Sequence, residues 1–221
     1  MGDHGGGRRA TSGALAARVA MAGVLACLFG GLAPVASGAS DSVQGAPGGP
    51  LARTREVLTE SNRIVTGSGD RNQKLVQLKD LLRRFLDTDA LARKAMGKNL
   101  DGKPAAQVSE FFAVFRELFV RTYVQRLLLF DAPDFAYVGE KVDGDMATVQ
   151  TQIVTPKDEF AVDYRLRRAP EGWIATDVLV EEVSLAENFR AQFDKALAQG
   201  SFEDLLRKLQ NKLSNKPNVE L

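Results

Sequence analysis

The feature that most constrains this chain is a double change of hydrophobic period. Up to about Phe130, apolar residues recur every three or four positions. From Asp134 they alternate, and from Ser184 the helical spacing returns. The chain must therefore hold a block of consecutive strands between two sets of helices. That order excludes strand–helix alternation with a parallel sheet and predicts one α+β domain. No internal repeat competes with this reading.

The leading helices are marked by their ends as much as by their stripes. Leu51 to Val65 has apolar residues at 51, 57, 58, 64 and 65, and Gly67-Ser68-Gly69 breaks it. Asp70 is placed to cap the next helix, with Gln73 reaching back. Leu75, Leu78, Leu81, Leu82, Phe85 and Leu86 give that helix a stripe of 3.6-residue period. Thr88 and Asp89 open a short helix that Gly97 ends. Pro104 suits the first turn of a longer helix reaching about Phe130. Val108, Phe111, Phe112, Phe115, Leu118, Phe119, Tyr123, Leu127 and Phe130 form its broad stripe, and Val114, Val120, Val124 and Leu128 widen it. Gln107, Glu110, Glu117, Arg121 and Gln125 leave only a narrow polar strip, so this helix is expected to be buried on more than one side.

The strands follow as a meander. Phe135 to Val142 is the first, and Asp143-Gly144 is a hairpin signal. Asp145 to Val154 is the second, with Ala147, Val149 and Ile153 on one face. Thr155-Pro156-Lys157-Asp158 turns the chain. In the third, Phe160, Val162, Tyr164 and Leu166 alternate with Ala161, Asp163, Arg165 and Arg167. Ala169-Pro170-Glu171-Gly172 turns again, and Trp173 to Val183 is expected as the fourth strand. Ser184-Leu185-Ala186-Glu187 is a capping box for a helix bearing Leu185, Phe189, Phe193 and Leu197, which Gly200 stops. Ser201 caps a last helix with Phe202, Leu205, Leu206 and Leu209. The expected fold is α+β: a four-stranded antiparallel meander, curved around and packed on one face by N-terminal and C-terminal helices, enclosing an apolar cavity.

The first fifty residues differ from the rest. Arg8, Arg9 and Arg18 precede an apolar run from Val19 to Leu32, and small residues lead to Ser37-Gly38-Ala39. This is a secretory signal peptide, with cleavage expected after Ala39. The apolar run is shorter than the roughly 20 residues of a spanning helix. A lipid-modified Cys27 and a twin-arginine signal at Arg8-Arg9 are weaker readings. The expected organisation is a signal peptide over 1–39, a flexible Gly/Pro/Ser-rich leader over 40–50, one domain over 51–211 and a polar tail over 212–221. Cleavage would remove the chain's one histidine, His4, and its one cysteine, Cys27. What remains excludes disulfide scaffolds, Cys or His enzymes and His/Cys metal sites. A net charge of +1 for the whole chain gives no electrostatic case for nucleic acid.

The stretch 173–209 resembles the C-terminal signature of the MlaC, or toluene-tolerance, family of periplasmic phospholipid-binding proteins. Trp173, Asp177, Val183, Ser184, Asn188, Arg190, Gln192 and Phe193 match its pattern. Phe189 stands for the usual Tyr and Glu182 for a Gly. A second block is similar: Phe85-Leu86-Asp87, Leu91-Ala92, Met96-Gly97 and the run from Phe111 to Tyr123. Asn99-Leu100 stand where that family often has an aromatic residue. The resemblance spans roughly 52–210.

The resemblance implies a carrier, not an enzyme. Such a protein takes a phospholipid between an outer-membrane lipoprotein complex and an inner-membrane ABC transporter complex. It needs no cofactor, with phospholipid as its ligand, and it works in the periplasm. Acyl chains need an elongated apolar pocket. The candidate lining residues are Phe112, Phe115, Phe119, Tyr123, Val149, Ile153, Phe160, Val162, Tyr164, Val180 and Val183. The same stripes would also serve a solid core, and then the chain would be an interaction module. Asn188, Arg190, Gln192 and Asp177 are candidate headgroup ligands, but hydrogen bonds tying the fourth strand to the next helix are favoured for them. Ser184 is read as an N-cap and Trp173 as core. A cone-shaped isomerase or dehydratase is the remaining rival. It would need a carboxylate or Tyr as base; Asp163 points away from the apolar face, and Asp177 has no obvious partner in the sequence.

Overall fold

The computed structural model describes residues 45–128, 133–155 and 158–215. All belong to the compact unit Ser40–Leu221. The expected signal peptide, Cys27, residues 40–44 of the expected leader, Phe130 at the expected end of the long helix, Pro156-Lys157 and the end of the polar tail lie outside the described residues.

Helix α1 (Pro50–Thr66) starts on a proline at its first position and buries Leu51, Thr54, Val57, Leu58, Ser61 and Ile64 along one side. Helix α2 (Arg71–Phe85) is closed by the expected box: the Gln73 amide donates to Asp70 Oδ1 at 2.9 Å and the Asp70 amide donates to Gln73 Oε1 at 3.2 Å. Helix α3 (Thr88–Met96) is capped by Asp87, whose Oδ1 accepts from the Ala90 amide, and it ends at Gly97, φ 50°. One 3₁₀ turn (Gly97–Leu100) leads on to α4 (Ala105–Leu127).

The sheet has five strands, one more than expected: β1 (Asp134–Asp143), β2 (Met146–Val154), β3 (Glu159–Ala169), β4 (Gly172–Val180) and β5 (Val183–Ser184), antiparallel and in chain order. It remains an open sheet. The expected fourth strand, Trp173 to Val183, is cut at Val180. The chain reverses there through Glu181 and Glu182, with φ of 48° and 66°, and brings Val183 opposite Val180. Positive φ at both central residues matches the twist of a two-residue hairpin. Glu182 thus stands in the left-handed conformation that glycine adopts at least cost. The Glu181 amide donates to the Ala161 carbonyl at 2.9 Å and its carboxylate accepts from the Ala161 amide at 2.6 Å, which holds the turn against β3.

Helices α5 (Leu185–Ala198) and α6 (Phe202–Ser214) start where their caps predict. Ser184 Oγ accepts from the Glu187 amide and Ser201 Oγ from the Asp204 amide, each at 3.1 Å. The expectation of helices on one face needs correction at β4. The strand register shifts between Arg165 and Leu166, so β4 presents Ala175 beside Leu166 but Asp177 beside Arg165. Trp173, Ala175, Asp177 and Leu179 are all buried. Asp177 lies under α3 and the start of α5, while Leu86, at the α2–α3 junction, bridges to Ala175. One bulge therefore lets both faces of β4 be covered.

Candidate functional site

Helix α1 lies across the β1 and β2 end of the sheet. Its N-terminus is tied down by Glu140, whose Oε2 accepts from the Leu51 amide at 2.8 Å. Arg55 lies over the Tyr137 ring, 4.1 Å from its centroid. Near its C-terminal end the seal is incomplete. Leu58, Ser61, Asn62 and Val65 of α1, Leu127 of α4, Pro133, Phe135, Ile153 and Tyr164 line a partly open pocket of about 70 Å³. Its wall is nearly all apolar. The polar side chains in it are Ser61, Asn62 and Tyr164. Burial pushes the Tyr164 phenol well above the usual tyrosine range, so it stays neutral.

The candidate lining residues divide into two groups. Ile153 and Tyr164 line the cavity. Val149 and Val162 are buried on the same sheet face, Phe160 is the register partner of Ile153, and Val180 is that of Val162. Phe160 and Val180 are half-buried. Val183 requires correction: the Glu181-Glu182 reversal carries it past the end of β4, where it is 39% exposed.

Phe112, Phe115, Phe119 and Tyr123 belong to a different place. Helix α4 packs against α2, α3 and α6. Its rings meet rings of α5 and α6. Phe115 lies 5.2 Å from Phe189, Phe111 lies 5.7 Å from Phe193 and 5.9 Å from Phe202, and Phe119 stacks on Tyr123 at 4.2 Å. These contacts fill the space with edge-to-face and stacked rings. Burial pushes the Tyr123 phenol up to about 12, partly opposed by Arg126. The residues missed by sequence reasoning are those of α1, together with Leu127, Pro133 and Phe135. The stripe of α1 was visible, but periodicity does not say which helix covers which part of a sheet.

The polar residues of the C-terminal block form a clamp. Asp177, 1% exposed, accepts from Lys94 Nζ and Ser184 Oγ, each at 2.6 Å, from the Val178 amide at 3.0 Å and from the Ala186 amide at 3.2 Å. Arg165 stands 3.6 Å away. Arg190 donates to the Lys94 carbonyl at the end of α3, and a Cβ on Gly97 would sit 3.0 Å from its guanidinium. Asn99 donates to Asp194 at 2.7 Å, and Gln192 to Asn188 at 2.5 Å. Asp177, Ser184 and Arg190 thus join α3, β4, β5 and α5. Among the described residues, no group of three or more His, Cys, Asp or Glu side chains could hold a metal, and no helix is long and apolar enough to cross a membrane.

A family model described as MlaC protein matches residues 54–211, most of the chain. The chain belongs to the MlaC family. The match to the MlaC model runs from α1 through α6 and so takes in both the cavity and the clamp. Among solved structures, this MlaC chain is similar to a phospholipid-binding protein from Ralstonia solanacearum, determined in complex with a phospholipid. The TM-score is 0.66 at 22% identity, covering 74% of this chain and 96% of that one. At that identity the likeness establishes a shared fold. No curated protein sequence matches the chain.

Proposed function

We propose that this MlaC-family chain is a soluble periplasmic phospholipid carrier. In this reading it is the binding component of an ABC-type transport system that moves lipid between outer and inner membrane. Its partners are the inner-membrane transporter and an outer-membrane lipoprotein complex. The observation that carries the reading is the apolar pocket beneath α1, between that helix and the sheet. The Ralstonia protein, built on the same fold, binds a phospholipid. Family and neighbour alike point to a binding or transport protein rather than an enzyme.

A volume of about 70 Å³ is small for the ligand. Ligand pockets usually span about 300–1,000 Å³. Acyl chains would enter by parting α1 and the end of α4 from the sheet, exposing the half-buried Phe135, Phe160 and Val180 as further wall. Each buried methylene contributes about 0.8 kcal/mol. A dozen methylenes would therefore outweigh the contacts given up on opening.

Native mass spectrometry of the protein purified from the periplasm without detergent tests the reading. A mass surplus equal to a diacyl phospholipid is expected, and Ile153→Trp should abolish it. Bare polypeptide mass, with no uptake from added phospholipid vesicles, would leave the interaction module as the better account.

A further inference from the structure

The pocket runs under the C-terminal half of α1 as far as Val65 and reaches Leu127, the last residue of α4. The ends of both helices therefore meet there, and each presents open carbonyls and the negative end of its dipole. Two cations stand at these ends. Lys74, near the start of α2, donates from Nζ to the Val65 carbonyl at 2.8 Å. Arg126 is in the last turn of α4, its guanidinium carbon 5.8 Å from the centroid of the Tyr123 ring. Farther along α2, Lys79 and Arg83 pair with Glu117, and Arg84 with Asp80; among the described residues, neither Lys74 nor Arg126 pairs with a carboxylate. One N–H of the Lys74 ammonium is taken by Val65, and two remain. The half-buried position of Lys74 leaves its charge less screened than in open water. The exposed Asp134, next to Pro133, belongs to the sheet side of the pocket, so an anion is drawn to the helix side.

We propose that Lys74, supported by Arg126 from the end of α4, holds the phosphate of the bound lipid and makes the site specific for phospholipids over uncharged diacyl lipids. The proposal rests on the carrier reading and adds to it the group by which the ligand is recognised. The apolar wall alone cannot tell a phospholipid from a diacylglycerol of the same chains, because both bury the same methylenes. Without the two cations, the meeting helix ends would repel a phosphate. With them, its oxygens accept charge-assisted hydrogen bonds from the ammonium and the guanidinium. The lipid is oriented as a result, with its chains toward Ile153 and Tyr164 and its phosphate at the ends of α1 and α4. Cations that only offset the helix dipoles would change stability and leave the choice of lipid untouched.

The test is a competition. The full chain, exported and processed by its host, is freed of lipid and mixed with vesicles of phosphatidylethanolamine and phosphatidylglycerol that hold a minor share of diacylglycerol, all with identical acyl chains. Native mass spectrometry reads the occupancy of each lipid, normalised to its abundance. The unaltered protein should favour the two phospholipids. In the double variant Lys74→Gln, Arg126→Gln the phospholipid-to-diacylglycerol ratio should fall about tenfold, the worth of one charge-assisted hydrogen bond. Lys74→Arg, which keeps the charge, should keep the ratio. Lys74→Gln alone should lower it about threefold, and it serves if the double variant does not fold. A ratio unchanged in the glutamine variants overturns the proposal and leaves the carrier standing, whatever their stability in urea, and so does an equal fall in Lys74→Arg. Failure of the unaltered protein to load any lipid overturns the carrier reading and this inference together.

Discussion

Two regions of this molecule are apolar for different reasons. Where α4, α5 and α6 meet, Phe111, Phe115, Phe119, Phe189, Phe193 and Phe202 lie ring against ring, at centroid separations of 5.2 to 6.0 Å. Where α1 meets the sheet, aliphatic side chains, Pro133 and Phe135 close imperfectly and leave space. The denser aromatic stripe is the more conspicuous in sequence, yet it is already occupied by its own rings. Empty space lies instead beneath α1, where packing is incomplete. Aromatic density marks where a core is expensive to disturb, not where it opens.

The largest effect that could break this contrast is expected from Phe111→Ala. Phe111 is fully buried and touches Phe112, Phe115, Phe193 and Phe202. Its truncation should cost about 3–5 kcal/mol in urea unfolding. The protein that remains folded should still load lipid. A stable Phe111→Ala that no longer binds lipid would place the site in the aromatic core after all.

Asp177→Ala comes next. It leaves Ser184 Oγ, the Ala186 amide and Lys94 without their shared acceptor. Losing one member of such a buried cluster costs about 3 kcal/mol. Because the clamp joins α3 to β4 and α5, lipid loading should be unaltered in whatever stays folded. Ile153→Trp inverts the pattern. Filling the cavity should cost only about 1–2 kcal/mol by overpacking, while lipid loading disappears. Equal loss of stability and loading in both variants, read by thermal unfolding and native mass spectrometry, would erase the distinction between the regions.

Much of the frame was legible because it depends on local chemistry. Asp70 with Gln73, Ser184, Ser201 and Gly97 each act within a few residues, and each cap stands where its spacing puts it. The alternation of Phe160, Val162, Tyr164 and Leu166 is likewise a local fact. The pocket was legible only in part: of its lining, Ile153 and Tyr164 were named, and its place beneath α1 was not. A stripe shows that a helix has a covered side, but the cover can be sheet, helix or ligand, and α4 reads the same in all three cases. The end of β4 was misjudged for a related reason. Alternation continues through Leu179, Val180 and Val183, and the reversal depends on two glutamates in backbone regions that their side chains do not favour. The position of Glu182 where the family pattern has Gly was the one clue.

A smaller effect is expected at Asp87, which belongs to neither region. Burial opposes ionisation of its carboxyl, but the Arg167 guanidinium at 2.7 Å and the Ala90 amide outweigh that and hold it below its ordinary 3.8. A depressed carboxylate stabilises the fold above its unfolded pKa, and that stability is lost as pH falls through the folded value. Asp87→Asn should therefore cost about 0.5 kcal/mol near neutral pH, since solvent screens the half-exposed pair, and nothing in strong acid. Urea midpoints at pH 7 and pH 2.5 measure the difference.

The smallest effect is a gain. Glu182→Gly should relieve a left-handed backbone that costs a side-chain-bearing residue about 1 kcal/mol, although glycine's freedom in the unfolded chain offsets part of this. Its charge matters as well. Burial first, and then Glu182, raise the Asp163 carboxyl above its ordinary value. A raised carboxyl favours the fold below its unfolded pKa and penalises it as pH rises through the folded value. Removing Glu182 lessens that penalty, so the gain should be larger at pH 7 than at pH 3. Thermal melts at the two values read it, alongside an NMR titration in which Asp163 moves toward an ordinary aspartate. A gain equal at both pH values would assign the whole effect to backbone strain. A loss would mean that the turn, with Glu181 clasping Ala161, needs both side chains to hold β5 against β4.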